Sequence, residues 1–98
     1  MTEPTEEDIL LSNIDRGTKV VMMLQHKGWQ EVIGPWIYEQ RQSYLRTALD
    51  ISITPAEREK AIFKVHGLDS LTNYILAITN LGERSAGQLK ESKENEES

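Results

Sequence analysis

The chain has 98 residues, no cysteine and a formal net charge of −5, which predicts a single small domain without disulfides or thiolate metal sites. The acidity lies in the two ends: residues 1–8 contribute −4, residues 82–98 contribute −2, and the body between them carries +1. A neutral body favours neither an acidic nucleic-acid mimic nor a basic nucleic-acid binder.

The longest apolar run, residues 20–24, is far shorter than the roughly 20 residues needed to cross a bilayer. No basic segment followed by an apolar one marks a secretory leader. We therefore expect no membrane association, and the cysteine-free composition is typical of a protein of the reducing cytoplasm.

Apolar residues recur at helical spacing along most of the chain, so we expect an all-α protein. The first helix is predicted over residues 5–27, after an acidic segment at residues 1–8. A hydroxyl followed three residues later by an acid, the N-cap pattern, occurs at Thr5 and again at Ser12, and we take the earlier start. Gly28 is the predicted stop. Gly17 lies in the apolar seam of this helix, where it allows another helix to approach closely.

A second helix is predicted over residues 29–49, but a Gly34-Pro35 step interrupts it. Proline inside a helix costs roughly 3 kcal/mol, so either the long helix begins at Pro35 after a separate short turn, or it kinks there. Trp29 and Trp36 share one face in both cases. We expect them to form a buried, bent packing anchor; a base-stacking or cofactor platform and a partner-binding surface are the alternatives.

The third helix is predicted over residues 55–81, after a turn at residues 50–54. Thr54 is the expected N-cap, Pro55 takes the first helical position, and Glu57 closes a capping box. Apolar residues follow two faces of this helix. One face carries Ala61, Val65, Leu68, Leu71, Ile75 and Ile78, and the other carries Phe63, Tyr74, Ala77 and Leu81.

Helices that are apolar on two sides must be covered on two sides. We expect the second and third helices to form an antiparallel hairpin, joined by the N-terminal helix within a domain at residues 9–81, and completed as a helical bundle by oligomerisation, most simply a dimer. Residues 82–98 are predicted to be a disordered tail. The predicted structural and interaction anchors are Trp29, Trp36, Tyr44, Phe63, Tyr74 and Leu81.

Residues that carry chemistry are sparse. The two histidines, His26 and His66, lack partners at metal-ligand spacing, and no glycine-rich phosphate loop or serine with a neighbouring base is present. We therefore predict no catalytic, cofactor-binding or metal-binding residues, and no enzymatic activity.

Three segments, DRGTKVVMMLQHKGWQEV, TPAEREKAIFKVHGLDSLTNYI and GERSAGQLK, resemble the short helical-hairpin proteins encoded by tailed bacteriophages. The resemblance covers roughly residues 14–90 and rests on helix punctuation; the Gly34-Pro35 break departs from it. It implies a phage-encoded helical hairpin in the host cytoplasm, and it carries over no functional residue.

These patterns predict a non-enzymatic, oligomeric protein that binds other proteins, in virion assembly or in modulation of a host protein. The alternative is a small DNA-packaging ring component that contacts DNA. The chain lacks the basic helix-turn-helix and the basic arm that such a component needs, so nucleic acid is an unlikely partner.

Overall fold

The computed structural model describes residues 3–97 and the side chains of residues 3–96. Across that range the chain is helical, without a strand, which confirms the predicted all-α class. The helices are α1 (Glu6–Gln25), α2 (Gly34–Leu49) and α3 (Pro55–Glu97), and a π-helical turn (Trp29–Ile33) precedes α2. The chain divides into two compact units. The α2 unit spans Gln25–Tyr74, and the α1 unit comprises the residues up to Leu24 and from Ile75 onward.

Thr5 caps the start of α1. Its Oγ1 accepts the Asp8 N–H at 3.1 Å, and the Asp8 carboxylate accepts the Thr5 N–H at 3.1 Å. This reciprocal pair satisfies two amides that have no partner inside the helix, and it confirms the earlier of the two predicted starts. The acidic segment predicted at residues 1–8 is therefore helical from Glu6; Met1 and Thr2 lie outside the described residues.

The first helix ends at Gln25, three residues before the predicted stop at Gly28. A bend at His26 follows, where the imidazole Nδ1 accepts the Gly28 N–H at 2.9 Å. This local side-chain bond offers the backbone an alternative to the next helical bond.

The Gly34-Pro35 step marks the change from the π-turn to α2. The Gly34 N–H donates to the Trp29 carbonyl five residues earlier, and a Cβ on Gly34 would lie 3.0 Å from that carbonyl oxygen. Pro35 occupies the first turn of α2, where its missing N–H matters least. Ile33 and Gly34 both keep right-handed helical dihedral angles, so the π-turn runs into α2 without a break, and the step marks a change in hydrogen bonding and not the start of a separate helix.

The turn between α2 and α3 is held by short-range hydrogen bonds. The Asp50 carboxylate accepts the Ser52 N–H at 2.9 Å and the Ser52 hydroxyl at 2.6 Å. Thr54 caps α3, because its Oγ1 accepts the Glu57 N–H at 3.4 Å. The Glu57 carboxylate pairs with Lys60 at 3.4 Å. The predicted turn and the Thr54 cap are confirmed, whereas the Glu57 carboxylate, predicted to close a capping box, pairs with Lys60.

Small side chains form the core of the α2 unit, where Ala48 of α2 and Ala61 and Val65 of α3 are buried. Polar bonds join the same two helices: Arg41 donates to both carboxylate oxygens of Asp69, at 2.7 and 3.3 Å. The core of this unit is too small to enclose large rings.

The α1 unit packs α1 against the end of α3 through glycine. A Cβ on Gly17 would lie 3.1 Å from the Gly82 Cα, and a Cβ on Gly82 would lie 3.1 Å from the Asn13 carbonyl oxygen. Asn13 Nδ2 donates to Ser85 Oγ at 3.2 Å, and Ser85 is only 2% exposed. The close approach expected at Gly17 is confirmed, and its partner is Gly82.

The predicted disordered tail is wrong for the residues that the structure describes. α3 continues without interruption from residue 82 to Glu97, and Gln88 and Leu89 line a groove with the buried Leu10 of α1. The tail has few apolar side chains, but its small residues let the backbone of α3 pack directly against that of α1. This close backbone packing stabilises the segment although few large apolar side chains are buried. Ser98 lies outside the described residues.

Candidate protein-interaction surface

Large apolar side chains lie mostly on the surface. Among the described residues, sixteen large hydrophobic side chains are exposed, whereas four apolar residues, Leu10, Ala48, Ala61 and Val65, are buried. Soluble monomers rarely expose extended apolar patches unless these bind something. The candidate functional site is therefore this exposed apolar surface, which has two parts.

The six predicted anchors divide into two groups. Trp29 and Tyr44 are half-buried, whereas the other four point outward, with Trp36 53% exposed, Phe63 65%, Tyr74 58% and Leu81 at the margin of exposure. The expectation that Trp36 is a buried packing anchor is therefore wrong. The more enclosed stripe of α2 runs through Ile37, Arg41, Tyr44 and Ala48, and Trp36, one residue earlier, points about 100° away from Ile37.

The first part of the surface is the Trp36 groove, an open depression at the junction of the π-turn and α2. Its apolar floor comes from Val32, Ile33, Pro35 and Trp36, and two carboxylates, Glu31 and Glu39, flank it. The π-turn and the first turn of α2 together place Val32 beside Trp36. The groove combines an aromatic side chain with an acidic rim.

The second part is the α3 stripe, which consists of Phe63, Gly67, Ser70 and Tyr74. These four residues are all exposed, and they advance by four, three and four positions, the spacing of one helix face. The stripe points about 170° away from the buried Ala61 and Val65, at 100° per residue. A Cβ on Gly67 would meet nothing within 4 Å.

Charged side chains form hydrogen bonds and a cation–π contact within the α2 unit. The hydrogen bond from Arg41 holds the pKa of Asp69 below its ordinary value, and the same bond raises the pKa of Arg41. The Ser52 hydroxyl and N–H lower the pKa of Asp50. Lys64 Nζ lies 5.1 Å from the centre of the Tyr44 ring, within cation–π range.

Over residues 3–97, no three His, Asp or Glu side chains are arranged to hold a metal ion. In the same part of the chain, the helices are too short or too polar to cross a membrane. His26 contacts backbone, and His66 is exposed.

Comparison of the chain with protein-family models, with curated proteins and with solved structures finds no match. The likeness to phage-encoded helical hairpins therefore stays a prediction.

Sequence reasoning identified the second apolar face of α3 but missed two features of the site. The Arg41–Asp69 pair joins residues 28 positions apart, and nothing local in the sequence indicates it. The outward direction of Trp36 had a signal, since Ile37 and Tyr44 define the neighbouring stripe, but that pattern does not by itself say which stripe is buried.

Proposed function

We propose that this chain is a non-enzymatic helical protein that acts by binding proteins, beginning with a second copy of itself. The observation that carries the proposal is the number of large hydrophobic side chains left exposed, sixteen among the described residues against four buried apolar residues. Large exposed apolar patches mark protein-interaction sites.

The proposed oligomer builds on an antiparallel α2–α3 hairpin. The contacting residue numbers rise along α2 while they fall along α3, as expected for antiparallel helices. The pairs are Arg41–Asp69, Tyr44–Lys64 and Ala48–Arg58. Arg58 Nε donates to the Ala48 carbonyl at 3.0 Å, so it also caps the end of α2. Such a hairpin buries one side of each helix and leaves the other for a second copy.

A second protein is the proposed occupant of the Trp36 groove. Tryptophan is enriched among the residues that dominate binding energy at interfaces, and the flanking Glu31 and Glu39 favour a partner segment with Lys or Arg beside an apolar side chain. Following the phage resemblance, we propose a role in virion assembly or in modulation of a host protein, in the host cytoplasm.

Absolute mass across a dilution series, by light scattering coupled to size exclusion, tests the self-association. We expect about twice the 11.2 kDa chain mass, with dissociation only at high dilution. A monomer at every concentration would contradict the proposal.

A further inference from the structure

We infer that two copies pair through the α3 stripe, antiparallel, about a two-fold axis that crosses α3 between Leu68 and Asp69. This inference rests on the proposed self-association and names the surface and the orientation that it uses.

The pattern of the α3 stripe is the same in both directions along the helix. It runs large, small, small, large, as Phe63, Gly67, Ser70 and Tyr74. A two-fold contact requires a self-complementary surface. In the antiparallel arrangement, Phe63 lies opposite Tyr74 of the second copy, and Gly67 lies opposite its Ser70. The small central pair lets the helices approach, and an aromatic pair closes each end.

No contact within the chain requires glycine at position 67. A glycine in a helix interior costs about 1 kcal/mol relative to alanine, and a Cβ at this position would meet no atom within 4 Å. A second helix that passes close to residue 67 would explain why this position is glycine. The chain already uses this device at Gly17 and Gly82, where a Cβ would come within 3.1 Å of the opposite helix.

Charge favours the antiparallel over the parallel arrangement. Lys60 and Lys64 flank the stripe, and a parallel dimer in register would set each opposite its own copy. The antiparallel axis separates the two Lys64 residues by about 13 Å along the helix at 1.5 Å per residue, which exceeds the screening length of about 8 Å at physiological salt.

The exposed rings of the stripe fit a second copy as its occupant. Phe63 and Tyr74 are 65% and 58% exposed, and in the antiparallel arrangement each ring is covered by the other ring of the second copy, so one contact buries both aromatic ends of both copies.

Gly67→Gln tests the seam, with Gly87→Gln as its matched control. Both glycines lie in α3, and at neither position would a Cβ meet an atom within 4 Å, so both substitutions fit the single chain and raise its helix propensity. We expect Gly67→Gln to raise the dimer dissociation constant at least tenfold, by sedimentation equilibrium, and Gly87→Gln to leave it unchanged. Circular dichroism checks that both variants keep their helices.

A Gly67→Gln variant that dimerises like the wild type would overturn the α3 seam and leave the proposed self-association intact. A monomeric wild type would overturn both.

Orientation is measured separately, by electron spin resonance on Ala56→Cys carrying a nitroxide label. The chain has no other cysteine. An antiparallel pair about the stated axis places the two labelled backbones about 38 Å apart, from the rise of 1.5 Å per residue. A parallel pair would place them about 10 Å apart, at the usual spacing of packed helices, and that result would overturn the inference.

Discussion

Trp36 is exposed although it is one of only two tryptophans in the chain. We therefore expect Trp36→Ala to lower the free energy of unfolding by less than about 1 kcal/mol, since surface substitutions rarely cost more. Trp29→Ala is the comparison, because Trp29 is half-buried and its indole ring lies against Gly34; we expect it to cost more. Urea titrations followed by circular dichroism measure both. A loss of 3–5 kcal/mol, typical of a buried tryptophan, would show that Trp36 is part of the core.

The Arg41–Asp69 pair makes stability depend on pH. Because the folded pKa of Asp69 is lowered by its hydrogen bond from Arg41, the unfolded carboxyl takes up a proton first as the pH falls. The contribution is therefore present above the ordinary aspartate pKa of about 3.9 and is lost as the pH falls toward the lowered value.

We expect Arg41→Gln to remove this contribution, so that the stability of the variant falls less between pH 5 and pH 3 than that of the wild type. Arg46→Gln, on the exposed side of α2, is the control. Thermal melts at half-unit pH steps measure the difference. Parallel curves for Arg41→Gln and the wild type would show that the pair adds no pH dependence.

At the scale of the helices, the contact between α1 and α3 depends on two glycines. A methyl group on Gly82 would come within 3.1 Å of the backbone of α1, and backbone cannot move aside as a side chain can. Overpacking of this kind costs about 1–3 kcal/mol, and the gain in helix propensity of up to about 1 kcal/mol offsets part of it.

We therefore expect Gly82→Ala to lower the free energy of unfolding by about 1–2 kcal/mol, measured by thermal melts of the ellipticity at 222 nm. Gly87→Ala, where a Cβ meets nothing within 4 Å, should be neutral or stabilising. Equal melting temperatures for the two variants would mean that the close contact between α1 and α3 adds nothing to the free energy of unfolding.

Helix starts were predictable because their causes are local. Thr5 and Thr54 each accept an N–H three residues ahead, and Pro35 makes an internal helical position costly whatever surrounds it. The end of α3 was not predictable in the same way. From the sequence alone, Gly82 and Ser85 look like residues of a disordered tail. In the structure they contact Gly17 and Asn13, which lie more than 60 positions away in the chain.

The candidate surface was predictable only in outline. The two apolar faces of α3 follow from spacing, but the choice of the buried face depends on the small side chains Ala48, Ala61 and Val65 meeting at the centre of the α2 unit. Small residues bury because they let helices approach, not because they are the most apolar, so hydropathy alone assigns the large rings Trp36 and Phe63 to the core.

Taken whole, the molecule has more apolar surface than its interior can take up. Only four apolar residues are buried among those described, and a small domain gains a few kcal/mol at most from such a core. Burial between copies would supply what the single chain lacks. The proposed self-association would therefore add to stability as well as to function.

The contact of Gly17 with Gly82 also bears on the order of folding. It joins residues 65 positions apart, whereas Arg41 and Asp69 are separated by 28, and the entropy lost in closing a chain segment grows with its length. We therefore expect the α2 unit to form first and α1 to dock last. During synthesis, Gly17 leaves the ribosome 65 residues before its partner Gly82, so the apolar seam of α1 stays uncovered over that interval.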